Sequence, residues 1–130
     1  MNETHESKRN VLLEKSMDFS IKMVKVYQNL CAKREYVLSK QVLRSATSIG
    51  ANVREAKRGQ SKPDFLSKLS IALKEADETE YWLELLNKTN YIDDSIFDEV
   101  YSDCEELVKL LTAITKTLKS QIANSVKRVA

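Results

Sequence analysis

Apolar residues recur at helical spacing along four stretches of this chain. This period is typical of amphipathic α-helices that each bury one side. Four long helices with short connections bury those sides most simply as an antiparallel up-down-up-down four-helix bundle. We therefore predict an all-α fold with a single domain over residues 1–130. In chain order the predicted helices cover about 8–32, 39–57, 61–87 and 96–123.

The spacing also predicts which residues form the core. Gly50 lies in the middle of the second predicted helix, where a glycine is unfavourable, so we expect close packing there. Ser61 with Asp64, and Ser95 with Asp98, have the spacing of N-terminal capping boxes. The expected core positions of the first three helices are Leu12, Phe19, Met23, Val26 and Leu30, then Val42, Ile49, Val53 and Ala56, then Phe65, Leu69, Ala72, Ala76, Thr79, Leu83 and Leu86.

Composition narrows the function classes. The chain has 2 Gly and 1 Pro among 130 residues, which disfavours a β-sandwich and leaves no glycine-rich phosphate loop. The only histidine is His5, so no internal imidazole can serve a catalytic triad or a zinc site. Two cysteines form no disulfide framework. We expect no enzyme activity, no cofactor, no membrane segment and a cytoplasmic location.

Charge is unevenly distributed along the sequence. Residues 1–62 carry 13 Lys/Arg and 6 Asp/Glu, whereas residues 63–130 carry 8 Lys/Arg and 13 Asp/Glu. A basic face for an anionic partner would produce this split. Attraction between the two halves, within the fold or between subunits, would produce it equally well.

A basic stripe follows the second predicted helix and is our candidate for contact with nucleic acid. Clustered cations on one helix face match the electrostatic footprint of phosphate binding, and no aromatic residues interleave with them. The alternative is a solvated face whose arginines pair with the acidic third and fourth helices. The candidate residues are Lys40, Arg44, Arg54, Lys57, Arg58 and Lys62.

Polar residues also follow one edge of the second helix and one edge of the third. Carboxylates between apolar residues suggest either a metal site or a hydrogen-bonded network that fixes helix register. The Glu-x-x-His motifs of di-iron bundles are absent, so we predict the network and no metal. We expect Asn52, Glu55, Glu75 and Glu78 to be buried and mutually hydrogen-bonded, with Arg54 or Lys74 as counter-charge.

Two segments resemble a known family. They are residues 43–56, LRSATSIGANVREA, and residues 65–86, FLSKLSIALKEADETEYWLELL. They are similar to bacterial four-helix-bundle proteins encoded in intervening sequences of 23S ribosomal RNA genes. Accessory variability proteins of diversity-generating retroelements are more distant relatives. Ala56 follows Glu55 here, where the family often has glycine. The matching signature positions, which look structural in the family, are Ser48, Asn52, Glu55, Glu75, Glu78, Thr79 and Trp82.

The resemblance implies a homo-oligomer, a pentameric ring in particular, without established enzyme activity. Tyr81, Trp82 and Tyr101 favour an interface as well, because aromatic residues are enriched there. The functional hypothesis is a non-enzymatic oligomer that binds structured RNA or DNA, or a nucleoprotein, through its basic surface. The alternative is a protein–protein scaffold without nucleic-acid contact.

Overall fold

Four α-helices make up the computed structural model, which describes the backbone of residues 5–129 and the side chains of residues 7–128. Helices cover 89% of the described residues, and none of those residues forms a strand. The all-α prediction is confirmed. The helices are α1 (His5–Ala32), α2 (Leu38–Lys57), α3 (Lys62–Lys88) and α4 (Asp94–Val129).

The four helices pack side by side in an antiparallel bundle. Each helix packs against two neighbours, in the order α1, α2, α3, α4 and back to α1, and the backbones of the diagonal pairs lie further apart in the described part of the chain. Ion pairs show the antiparallel direction: Lys15 meets Glu106, while Lys22, further along α1, meets Asp103, earlier in α4. The predicted up-down-up-down bundle is therefore confirmed, and α1 and α3 occupy opposite corners.

The core matches the apolar pattern closely. All seven positions predicted for α3, from Phe65 to Leu86, are buried. The predicted core positions of α1 and α2 are buried too. Gly50 faces α1, where an added Cβ would lie 3.5 Å from the Ser16 carbonyl oxygen and 3.4 Å from the Ser20 Oγ. The two backbones thus approach closely at this point, although a methyl group would still fit.

The helix ends differ from prediction at three places. Ser61 caps α3 as expected, because its Oγ accepts a hydrogen bond from the Asp64 N–H at 3.2 Å. The cap of α4 is Asp93, whose carboxylate accepts from the Ile96 N–H at 2.8 Å, so the prediction of Ser95 is wrong. Asp93 already offers the capping oxygen two residues earlier. In addition, α1 begins before residue 8, and α4 continues past Ala123 because no Gly or Pro stops it.

A buried glutamate organises the turn between α1 and α2. The Glu35 carboxylate accepts hydrogen bonds from the N–H groups of Val37, Leu38 and Ser39, at 3.2, 2.9 and 2.6 Å. These donors are left without helical partners at the start of a helix. Burial raises the pKa of Glu35, but the three backbone donors outweigh burial and hold the pKa below its ordinary value.

Candidate nucleic-acid interface

Arg44, in the middle of the predicted basic stripe, is tied to α3. Its guanidinium bonds to the carboxylate of Glu75, at 3.3 Å, and to that of Glu78. The hydrogen bond to Glu78 raises the pKa of Arg44 further, while partial burial acts against it. The counter-charge for the two glutamates is therefore Arg44, and our expectation of Arg54 or Lys74 is wrong. Arg44 is half exposed and bridges two helices, so its charge is already largely balanced.

The polar signature does not form one buried network in the single chain, which corrects our expectation. Glu55 is exposed and pairs with Lys68 of α3 at 2.7 Å, about 16 Å from Arg44 along the axis of α2, at about 1.5 Å per residue. Asn52 is half-buried and its side-chain amide donates to the Ser48 carbonyl oxygen on the same helix, at 2.8 Å. Arg44 and Glu55 both face α3, so distance along the helix separates these side chains on the seam between α2 and α3.

That seam contains a small buried polar contact. The hydroxyl groups of Ser45 and Thr79 are hydrogen-bonded at 2.9 Å between α2 and α3, and both residues are fully buried. Trp82, one turn after Thr79, is half-buried and meets Tyr81 edge-on, with ring centroids 5.1 Å apart. The hydrogen bond between Ser45 and Thr79 helps to fix the register of the two helices. Of the signature residues, Thr79 therefore has a structural position, as the family resemblance implies.

The other cations of the predicted stripe behave differently from Arg44. They are all exposed, and within the described part of the chain none of them forms an ion pair. Lysines on α1 provide the contrast, because Lys15 and Lys22 are paired with acids of α4. The cations without ion pairs are Lys40, Arg54, Lys57, Arg58 and Lys62.

These cations do not form one continuous patch. Lys40 lies about 21 Å from Arg54 along the axis of α2, at about 1.5 Å per residue. Arg54, Lys57 and Arg58, the α2 cluster, lie at the other end of the helix. Lys62 begins α3 directly afterwards. The structure thus brings four of the six candidates together, leaves Lys40 alone and pairs Arg44 with acids.

A groove runs beside the α2 cluster. It is open to solvent, has a volume near 890 Å³ and lies between α1 and α2. Its floor is made of small residues, including Ser16, Ser20 and Gly50, and Arg54 and Arg58 lie along its rim. Clusters of three or more potential metal-ligating side chains are absent from the described residues.

An exposed apolar stripe on α1 begins at Met17, which lines the same groove. Met17, Ile21 and Val24 are 45%, 50% and 40% exposed and follow each other at helical spacing. On α3, Ile71 and Tyr81 are exposed as well. Of the aromatic residues expected at an interface, Tyr81 is exposed, Trp82 is half-buried, and Tyr101 is half-buried and stacks on Phe97 with centroids 4.8 Å apart. Their place in an interface stays a prediction.

Sequence reasoning missed this apolar stripe. It also missed that the two ends of the bundle carry opposite net charge. The sequence contains a signal for the stripe, because α1 has apolar residues on both sides of its predicted core positions. Its apolar face is therefore wider than the face that the bundle buries. The end charge was visible too, because antiparallel topology determines which helix ends lie together. Both features become visible only when the residues are assigned to helix faces and helix ends of the antiparallel bundle.

Comparisons with known proteins identify the family. A solved structure of a protein with unknown function from the S23 ribosomal protein family of Bacteroides thetaiotaomicron is 52% identical, covers 84% of this chain and 98% of its own, and superposes with a TM-score of 0.82. A comparison with curated proteins finds no match. No helix in the described region is long and apolar enough to span a membrane. The model of the 23S rRNA-intervening sequence protein family matches residues 8–113. The chain therefore belongs to the 23S rRNA-intervening sequence protein family.

Proposed function

We propose that this protein is a non-enzymatic, oligomeric helical bundle of the cytoplasm that binds structured nucleic acid through its basic surface. The observation that carries the proposal is the α2 cluster, whose cations are exposed and form no ion pair in the described part of the chain. Cations held close together without counter-charge repel one another, and phosphate groups would relieve that repulsion.

The chemistry of the α2 cluster favours the phosphate backbone over the bases. Two of its three cations are arginines, which bind phosphate in a two-pronged geometry. Phe65, which lines a small cleft together with Lys57, is buried, and the Arg9 guanidinium covers it at 4.2 Å, so this ring does not offer a surface for base stacking. A surface of this kind reads the shape of a folded or double-stranded nucleic acid.

Assembly into a homo-oligomer is the second part of the proposal. A closed ring requires two different surfaces on each subunit, which contact each other head to tail. The apolar stripe of α1 and the exposed Ile71 and Tyr81 of α3 lie on opposite corners of the bundle and meet this requirement. Five is the number of copies that the family resemblance implies.

The assembly can be tested by light scattering. We expect a mass several times 14.9 kDa for the protein, and a lower mass for Ile21→Glu, which places a charge in the stripe. Val126→Glu is the control, because Val126 is also an exposed apolar residue but lies on α4, far from the stripe. A wild-type mass near 15 kDa would contradict the oligomer.

Binding can be tested by fluorescence anisotropy with a fully paired RNA hairpin and with duplex DNA over a range of salt. Neutralising the α2 cluster by Arg54→Gln, Lys57→Gln and Arg58→Gln should weaken binding. It should also lower the slope of log affinity against log salt by about 2 to 3. The control variant, Lys25→Gln, Lys74→Gln and Lys88→Gln, removes the same charge from exposed sites elsewhere.

Two results would contradict nucleic-acid binding. One is no binding of either duplex at low salt, and the other is binding that does not weaken as salt rises. A partner captured from cell extract after nuclease treatment would then favour the alternative function, a protein–protein scaffold. A nucleoprotein partner would be lost on the same treatment.

A further inference from the structure

The two ends of the bundle carry opposite charge. Antiparallel packing places the first turns of α1 and α3 beside the last turns of α2 and α4, and we call this end the basic end. Three segments form it, residues 8–13, 54–64 and 115–128, with ten Lys/Arg and two acids between them. One of those acids, Glu55, is already paired with Lys68.

Much of this charge comes from the last three turns of α4. Residues 107–130 contain no acid, and α4 continues beyond residue 113, where the match to the family model ends. We call residues 116–128 the α4 tail. Its four cations are exposed and have no ion pair among the described residues; they are Lys116, Lys119, Lys127 and Arg128.

The α4 tail shares a cleft with the start of α3. Lys62 lies on one side of this cleft of about 210 Å³, opposite Gln121, Asn124, Ser125 and Arg128 of the tail. Lys62 follows Arg58 after a short turn, so the cleft continues the α2 cluster toward α4. Two basic segments that are distant in the sequence therefore form one surface.

Helix dipoles do not account for this surface. Cations near the C-termini of α2 and α4 are favourable, because a helix C-terminus carries partial negative charge. The N-termini of α1 and α3 lie at the same end and carry partial positive charge, yet Lys8, Arg9 and Lys62 lie there, beside Asp64 in the first turn of α3. Such an arrangement is unfavourable within the protein alone and becomes favourable when an anion binds.

We propose that the α4 tail and Lys62 extend the α2 cluster into one phosphate-binding surface that contacts the backbone of a nucleic-acid duplex. This inference rests on the proposed function and names the part of the molecule that performs it. Lys116 and Lys127 lie about 16 Å apart along α4, at about 1.5 Å per residue. That span exceeds the roughly 12 Å width of a DNA major groove, so a tail lying across the groove would reach phosphates of both strands.

The polar residues of the cleft favour nucleic acid over a lipid surface. Side-chain amides and hydroxyls, such as those of Gln121, Asn124 and Ser125, donate hydrogen bonds to phosphate and sugar oxygens. A helix that binds membranes instead needs a broad apolar face to insert. Val126 is the one large apolar side chain that is prominently exposed on the described part of the α4 tail.

The test compares three variants with the wild type in the salt titration described above. The tail variant carries Lys119→Gln, Lys127→Gln and Arg128→Gln, and circular dichroism checks that its helix content is unchanged. We expect its affinity for the RNA hairpin to fall about tenfold or more at low salt, with a salt slope lower by about 2 to 3. The control variant at Lys25, Lys74 and Lys88 has the same net charge and should lose far less.

The outcomes separate this inference from the proposed function. If the α2-cluster variant loses binding and the tail variant does not, the inference is wrong and the proposed function stands. Equal losses in the tail and control variants would show that net charge alone matters, which also overturns the inference. If the wild type binds neither duplex, both fail together.

A second measurement locates the contact directly. Acetylation of lysines with and without the hairpin, read by mass spectrometry, should show protection of Lys119 and Lys127 and none of Lys25 or Lys74. Absence of protection at the tail would overturn the inference. So would tighter binding of the wild type to phosphatidylserine vesicles, or a tail variant that changes the oligomer mass and leaves hairpin affinity unchanged.

Discussion

The basic end and the opposite, acidic end of the bundle differ in how many of their charged side chains have partners within the chain. The acidic end comprises residues 28–41 and 77–106, with four Lys/Arg and twelve acids. Several of those acids are engaged: Glu35 caps α2, Asp93 caps α4, and Glu99, Asp103 and Glu106 pair with lysines of α1. Cations at the basic end mostly lack such partners. Charge therefore serves the fold at one end and remains available for a ligand at the other.

The acids at the acidic end lie close enough together to shift the pKa of neighbouring groups. Burial, followed by the charges of Asp77, Glu105 and Glu84, raises the pKa of Glu80. Burial and the neighbouring acids also raise the pKa of Tyr101 to about 12, and its hydroxyl donates to Glu84 at 3.1 Å. The acidic end is thus a mixture of stabilising caps and mutually repelling carboxylates, and variants can separate the two.

The largest effect on stability should come from removing the Glu35 cap. Glu35→Ala leaves three backbone N–H groups at the start of α2 without their acceptor, so we expect a loss of about 2 kcal/mol in the free energy of unfolding. Urea denaturation would measure it. Glu14→Ala, at an exposed acid of α1 with no hydrogen bond or ion pair in the described region, is the control.

The same cap makes stability depend on pH. The pKa of Glu35 is lowered in the folded state, so its contribution is present above the ordinary glutamate pKa of 4.5 and is lost as pH falls through the lowered value. Glu35→Gln should show a weaker pH dependence in that acid range. An unchanged profile would mean that the carboxylate does not cap the helix in solution.

A smaller loss is expected at the bridge between α2 and α3. A buried network would have made Glu75→Ala cost roughly 2–4 kcal/mol. The observed partner, Arg44, is half exposed, so we now expect about 0.5–1 kcal/mol, decreasing with salt. Thermal melting at low and high salt would test this. Lys74→Ala, at the exposed position directly before Glu75, provides a control. A loss above about 2 kcal/mol would indicate that assembly buries the bridge.

Features that follow from the repeat of a single helix could be predicted from the sequence, and features that depend on the contact between two helices could not. Helix positions and the seven core residues of α3 follow directly from a repeat that is fixed by helix geometry. The partner of Arg44 does not, because the register between two helices depends on side-chain packing across the seam, here on Ser45 against Thr79. The same dependence on register explains why Arg44 is paired with acids, whereas Lys40 is separate from the α2 cluster because it lies about 21 Å away along α2.

The Glu35 cap and the length of α4 were also not predicted, because neither has a clear local signal in the sequence. The Glu35 cap lies in a turn where no Ser, Thr, Asp or Asn directly precedes the helix, so the usual signal is missing. The α4 tail has no sustained apolar repeat after Ile122, yet nothing in it breaks a helix. The relation to accessory variability proteins, the pentamer and the absence of enzyme activity stay predictions.

Neutralising the α2 cluster should barely change stability. Arg54→Gln, Lys57→Gln and Arg58→Gln remove exposed cations without ion pairs among the described residues, so we expect a change within about 0.5 kcal/mol. Urea denaturation of this variant beside the wild type would measure it. A large loss of stability would show that these cations pair with acids of another subunit, and the basic end would then serve assembly.

The smallest effect should be a gain at the acidic end. Glu80→Gln removes a carboxylate that is partly buried among Asp77, Glu84 and Glu105, and we expect a gain of a few tenths of a kcal/mol at neutral pH. Because the pKa of Glu80 is raised in the folded state, the folded protein holds this proton more tightly than the unfolded chain. The wild type should therefore lose stability as pH rises from about 4.5 through the raised value, and the variant should not. Glu105→Gln, on the facing helix, should reproduce part of the gain, whereas Glu14→Gln on α1 should not. If Glu80→Gln destabilised the protein at neutral pH, the carboxylate would have a partner in the assembled protein, and the two ends of the bundle would be more alike than the single chain shows.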